Sequence, residues 1–207
     1  MFQEHFRRDK SPKKTAQATD ALVAIEKQAP GISAFLETFA GAAYENGLYR
    51  ILPTAKMAEW TDSVAEAFPD YSGKMLCFAF DWLGRSFALD FATTSDDGQY
   101  LIMRLEPGSG EIMEIPVPFV EFHNKELVEY TNDALSSEFY EEWLATGEAP
   151  GYEVCIGYIE PLFLGGEDVI ENLEPVDLGV YWSTSAQILA EVRDLPDGTA
   201  VDIVDIE

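Results

Sequence analysis

Hydrophobic positions recur at helical spacing toward both ends of this chain and at alternate positions through its middle. Residues 1–17 follow neither period; they are polar, mixed in charge and contain Ser11-Pro12, which predicts a flexible lead-in. Thr19 or Asp20 can cap a helix through ALVAIEKQA, and Pro30 opens a second through ISAFLETFA. Asn46-Gly47 predicts a turn before the strand-like LYRIL. Pro53 or Thr54 then starts TAKMAEWTDSVAEAF, where Met57, Trp60, Val64 and Phe68 lie at helical spacing.

From Gly73 the period shortens to two. KMLCFAFDW, RSFALDFA, QYLIMRLEP and EIMEIPV are separated by Gly84-Arg85, by Asp96-Asp97-Gly98 and by Pro107-Gly108-Ser109-Gly110, the pattern of an antiparallel meander. Residues 117–130 and 133–146 return to helical spacing, the second with Asp133 as its cap and Gly147 as its stop. CIGYIEPLFLGG predicts a strand running into a Gly165-Gly166 turn, and LGVYWSTSAQILAEVR a helix beginning near Asp177. Pro196-Asp197-Gly198 leads to a possible last strand, AVDIVDI. Strands clustered between helical segments give an α+β class, an antiparallel sheet with helices packed mainly on one side.

Composition narrows the function classes. The chain has 207 residues, 47% of them hydrophobic, with thirteen Phe, nine Tyr and four Trp, so it can bury a core despite a formal charge of -25. No apolar run approaches the roughly 18–20 residues that span a bilayer, and no signal-like apolar segment follows the first charges, so the expected location is cytoplasmic. Cys77 and Cys155 lie in apolar strand contexts without CxxC spacing, which suits buried free thiols.

The charge is unevenly placed. Between Lys125 and Arg193 there is no Lys or Arg, while Asp and Glu occur fifteen times. Such a field repels nucleic acid and anionic membrane and attracts basic proteins. Two histidines, His5 and His123, are too few for a metal site, and no GxSxG or activated cysteine signals nucleophilic catalysis. His123, beside Glu121 and Glu126, reads as a partly buried or capping side chain, and the large aromatics read as core. With 38 acids, no carboxylate pair stands out as a catalytic dyad. No cofactor and no metal is expected.

The segment GYIEPLFLGGEDVIENLEPVDLGVYWSTSAQ, with Pro161-Leu162-Phe163-Leu164-Gly165-Gly166, Asn172-Leu173-Glu174, Asp177, Val180-Tyr181-Trp182 and Gln187, resembles the C-terminal domain of bacterial immunity proteins against type VI secretion DNase effectors. Upstream, Asn46-Gly47-Leu48-Tyr49-Arg50, the Trp60 helix, Phe80-Asp81-Trp82-Leu83-Gly84-Arg85, Glu111 and the Phe122-His123 to Glu126-Leu127 segment resemble the GAD-like domain that accompanies it. The resemblance implies a lead-in over 1–17, a GAD-like α+β domain over 18–115 and an immunity-protein region over 116–207 packed tightly on it. It also implies a non-catalytic protein that binds and neutralises a toxin.

A nuclease presents a cationic groove to phosphates, so an acidic surface can compete for it. The contact candidates are Glu126, Glu129, Asp133, Glu138, Glu141 and Glu142, with Glu167 and Asp168 as a second set. Gly165, Gly166, Asn172, Asp177 and Trp182 are expected to be structural, Gly shaping the turn and Asp177 capping the last helix. A regulatory or ligand-binding module whose acidic surface serves solubility remains the alternative, and the oligomeric state stays open.

Overall fold

The computed structural model describes residues 1–9, 20–193 and 195. Six strands form one antiparallel meander in chain order: β1 (Ala43–Tyr44), β2 (Tyr49–Ile51), β3 (Met75–Asp81), β4 (Ser86–Thr94), β5 (Tyr100–Leu105) and β6 (Ile112–Pro118). A second, two-stranded sheet pairs β7 (Val154–Tyr158) with β8 (Leu173–Asp177). The class is α+β with an antiparallel sheet, as the change of hydrophobic period predicts. The turn at Asn46-Gly47 is present, with Glu45, Asn46 and Gly47 all at positive φ.

Alternation along β4 shows how the sheet is covered. Ser86 accepts the indole N–H of Trp60 from helix α4 (Met57–Ala67), while the next residue, Phe87, packs on Phe122 and Tyr49 from the other side. Period two sends neighbouring side chains to opposite faces, and both faces of the central strands are buried under helices, where the sequence predicts them mainly on one. On the α4 face lies α9 (Leu178–Val192), whose Trp182 meets Trp60 and Phe68 edge-on and donates its indole N–H to the Gly84 carbonyl at 2.8 Å. On the other face sit α3 (Ile32–Phe39) and a helical run composed of α5 (Phe119–Glu121), a π segment Phe122–Glu126 and α6 (Leu127–Glu129). Phe119, Phe122, His123 and Leu127 are its buried face.

The start of the chain differs from the expected flexible lead-in. Phe2–His5 forms a short helix, α1, and Phe2 and Phe6 are buried and stacked at 4.9 Å. Asp9 follows as a clamp, its carboxylate accepting from the Asn46 and Gly47 amides at 2.9 and 2.8 Å. Two Phe at helical spacing supply enough apolar surface to dock an otherwise polar segment. Residues 10–17 of that lead-in, the Thr19 cap, the Pro196-Asp197-Gly198 turn and the AVDIVDI strand lie outside the described residues.

Two further helices depart from expectation. The first predicted helix is shorter, α2 (Asp20–Ile25), because Glu26 turns away to accept from the Gly31 and Ser33 amides at the start of α3. The helix expected over 133–146 is two, α7 (Thr131–Leu135) and α8 (Ser137–Thr146), broken at Ser136 with φ of 51°. Asp133 is inside α7 and caps nothing; Tyr130 holds the cap position. The break has a tertiary cause. The carbonyls of Asp133, Ala134 and Leu135 are taken by Arg104, by Arg104 and Arg85, and by the Trp82 indole, so they need no continuing helix.

Candidate functional site

The acidic candidates on the helices share one strip of chain. Glu129, Asp133, Glu138, Glu141 and Glu142 are exposed and Glu126 is half-buried, while the same strip buries Leu127, Ala134, Leu135, Tyr140 and Trp143. Amphipathic spacing therefore anchors α6–α8 by their apolar sides and leaves the carboxylates outward. Trp143 donates to the Glu148 carbonyl at 3.0 Å and Tyr140 to the Asn46 carbonyl at 2.6 Å, which ties α8 to the chain on either side.

The second acidic set sits on the loop between β7 and β8. Gly165 has φ of 102°, a conformation glycine adopts without strain. Gly166 packs so closely that a Cβ there would lie 2.0 Å from the Glu160 carbonyl oxygen. Asn172 closes the loop, accepting from the Glu160 amide and donating to the Glu160 and Glu167 carbonyls, each at 2.9 Å. Glu167 and Asp168 are held exposed on this frame, and Asp168 accepts from the Tyr158 hydroxyl at 2.7 Å. Asp177 caps α9, its Oδ1 accepting from the Gly179 and Val180 amides.

A polar depression of about 260 Å3 brings the two regions together: Ser136 and Phe139 from the α7–α8 junction line it opposite Asp168 and Tyr158. Beneath it lies a buried charge network. Arg85 Nε donates to Asp81 Oδ2 at 2.6 Å, Asp81 Oδ1 takes the Leu83 and Arg85 amides, and Arg85 Nη1 reaches Ser136 Oγ at 3.1 Å. Arg104 has a longer partner, Glu106, at 3.9 Å, and its Nε is buried without an acceptor among the described residues. Burial opposes the charge on Arg85, but Asp81 outweighs it and raises the guanidinium pKa; burial and neighbouring Arg85 lower that of Arg104. Burial likewise lifts the Glu106 carboxyl above its usual range.

The two cysteines and His123 are buried and held in their neutral forms. Burial pushes both Cys77 and Cys155 up to about 12, which keeps the thiols protonated. Burial pulls His123 down to about 3; its Nδ1 faces the Phe119 carbonyl at 2.9 Å and its Nε2 the Tyr49 hydroxyl at 3.1 Å, so both nitrogens are engaged. Among the described residues no three His, Cys, Asp or Glu side chains gather as metal ligands. No helix among them is long and apolar enough to cross a membrane.

The basic residues inside the fold carry no pattern by which the sequence would announce their role. Arg50, Arg85 and Arg104 are buried, each a single cation in a strand-like or turn segment. Arg50 and Arg85 stand in the motifs that resemble the GAD-like domain, and for Arg104 the sequence signal is scarcity, an Arg placed among apolar residues in a Lys- and Arg-poor chain.

A family model described as "T6SS immunity protein Tdi1, C-terminal" matches residues 118–189. The chain is also similar in fold to the crystal structure of Atu4351 from Agrobacterium tumefaciens, with a TM-score of 0.60 and 12% identity over 90% of this chain and 89% of that one. None of the curated proteins matches. The family match begins at the end of β6 and runs into α9, taking in both acidic sets, the Gly165-Gly166 loop and the Asp177 cap. Over that stretch the chain is similar to the C-terminal part of type VI secretion immunity proteins, a family whose members imply a cognate toxin as partner.

Proposed function

We propose that this protein neutralises its toxin by stoichiometric binding in the cytoplasm, without catalysis, that the toxin is a basic nuclease, and that the exposed carboxylates of α6–α8 meet it. Glu167 and Asp168 extend the same face across the polar depression. Residues 18–115 and 116–207 act as a GAD-like unit and an immunity unit packed tightly together.

One observation carries the proposal: five exposed acids, Glu129, Asp133, Glu138, Glu141 and Glu142, lie along consecutive helices inside a stretch that contains no Lys or Arg. Their apolar neighbours anchor the helices, so the negative field is presented by a rigid surface rather than by a mobile tail. A phosphate-binding groove is complementary to such a surface, and a rigid charged face speeds encounter while occupying the groove. The remaining basic groups do little to offset it. From residue 28 onward there are seven Lys and Arg, of which Arg50, Arg85 and Arg104 are buried, while Lys56 and Lys125 are paired with Glu59 and Glu121.

The test is charge reversal at Glu138, Glu141 and Glu142 in one variant, with association to the toxin followed by stopped flow at low and high salt. Association slows by about tenfold or more at low salt, and its dependence on salt flattens. An unchanged rate at both salts removes the acidic helices from the interface.

A further inference from the structure

Away from the acidic helices, a groove of about 320 Å3 runs between the start of α4 and the start of α9. Its floor is aromatic: Trp60, Phe80 and Tyr152 lie in sequence, with ring centroids 6.2 Å apart for the first pair and 5.6 Å for the second. The rings are fixed, since Trp60 Nε1 donates to Ser86 Oγ at 2.9 Å and the Tyr152 hydroxyl donates to the Ile51 carbonyl at 2.7 Å. Its rim is acidic. Glu59, Glu153 and Asp177 are exposed there, and the rim's Lys56 is held by Glu59 at 2.7 Å. Both cap bonds of Asp177 fall on Oδ1, so the α9 cap does not use Oδ2. Counting Arg50, buried behind Phe80 with its Cζ 5.1 Å from that ring, three carboxylates still face two cations.

Resting on the neutralisation reading above, we propose that this groove receives an arginine side chain of the toxin. A guanidinium is planar and weakly hydrated, stacks on aromatic rings and takes carboxylates at its edge, which matches an aromatic floor with an acidic rim. A lysine ammonium loses the planar stack, and an apolar side chain loses the rim. The volume is at the low end of the about 300–1,000 Å3 of ligand pockets, suited to one long side chain rather than a folded element. Arginine is among the residue types that anchor interfaces, so the groove supplies a fixed point to an association that the acidic helices accelerate.

The probe is N-acetyl-arginine amide, titrated into the full chain and followed by the indole N–H resonance of Trp60; the other three tryptophans are buried. A saturable shift is expected, with the norleucine amide producing none. The rim variant Glu59→Gln/Glu153→Gln weakens the probe by about tenfold while Glu138→Gln/Glu141→Gln/Glu142→Gln leaves it unchanged. No shift, or equal shifts from the arginine and norleucine probes, overturns the assignment. With the toxin itself, the rim variant is expected to dissociate faster by about tenfold. If the rim variant loses the probe but holds the toxin with an unchanged dissociation rate, the toxin is not the occupant and neutralisation stands. Failure of the unaltered chain to bind any toxin overturns the neutralisation reading and this occupant together.

Discussion

Asp81 holds one of the few cations this chain takes out of water, with one oxygen accepting from Arg85 Nε while the other accepts from the Leu83 and Arg85 backbone amides. Removing a single partner from such a buried pair strands the other. Asp81→Ala is expected to cost about 3–5 kcal/mol in urea unfolding, whereas Asp81→Leu/Arg85→Met costs less than the single change because no charge is left unpaired. A cost below about 1 kcal/mol for Asp81→Ala would contradict this account of the network. His123 gives the pH dependence. Its pKa is about 3 when folded against 6.5 ordinarily, so the unfolded chain binds more protons between those values. Stability therefore falls as pH drops below about 6.5, by up to about 1.4 kcal/mol per pH unit from this group. Urea midpoints measured from pH 7 to 4 should decline less steeply for His123→Asn than for the unaltered chain; identical slopes would remove His123 as the cause. Little of this chemistry was legible beforehand. The sequence pattern reads His123 as partly buried or capping, whereas it is fully buried, and its bond to Tyr49 and the meeting of Arg85 with Ser136 depend on strand pairing and a helix break that periodicity does not encode.

Elements were legible where one period runs uninterrupted. Helices α3, α4 and α9 and strands β3 and β5 lie within the segments that their spacing marks out, and β4 and β6 overrun theirs by two residues and one, because a helix or strand packed on one core must repeat its apolar residues at that spacing. Beyond α1 and the short β1, three features escaped for separate physical reasons. Strand β8 contains Glu174, Pro175 and Asp177 and is exposed along much of its length, so it lacks strand chemistry and pairs as an edge. The π segment Phe122–Glu126 leaves the helical pattern intact while shifting its register. The α7–α8 break follows from side chains of the sheet capturing helix carbonyls, information that lies 30 to 53 residues away in the chain. At the start of α9 the local signal suffices: an Asp stands before a long helical run, and its carboxylate accepts the first free amides. Asp177→Ala is expected to lower unfolding stability by about 1 kcal/mol, and Asp177→Asn by a few tenths, since Asn caps as well without the charge. Equal losses from the two variants in chemical denaturation would mean that the cap bonds contribute nothing.

At the scale of the molecule, burial redistributes charge that the sequence only sums. Among the described residues the interior takes Arg50, Arg85 and Arg104 together with Asp81 and Asp90, so three cations and two acids leave the surface and its balance stays close to the formal charge of -25. The location of the acidic strip was visible from the absence of Lys and Arg over 126–192; that Ser136 and Phe139 share one polar depression with Asp168 required the fold. The family match covers this same stretch. The measurement closest to the central claim is a competition between host cells lacking this chain and their parent, with the parent's type VI secretion apparatus either intact or disabled. Immunity predicts that the deletion strain is lost only against the secreting parent and is rescued by restoring the chain, but not by the variant reversed at Glu138, Glu141 and Glu142. Equal survival of the deletion strain against secreting and non-secreting parents would contradict it.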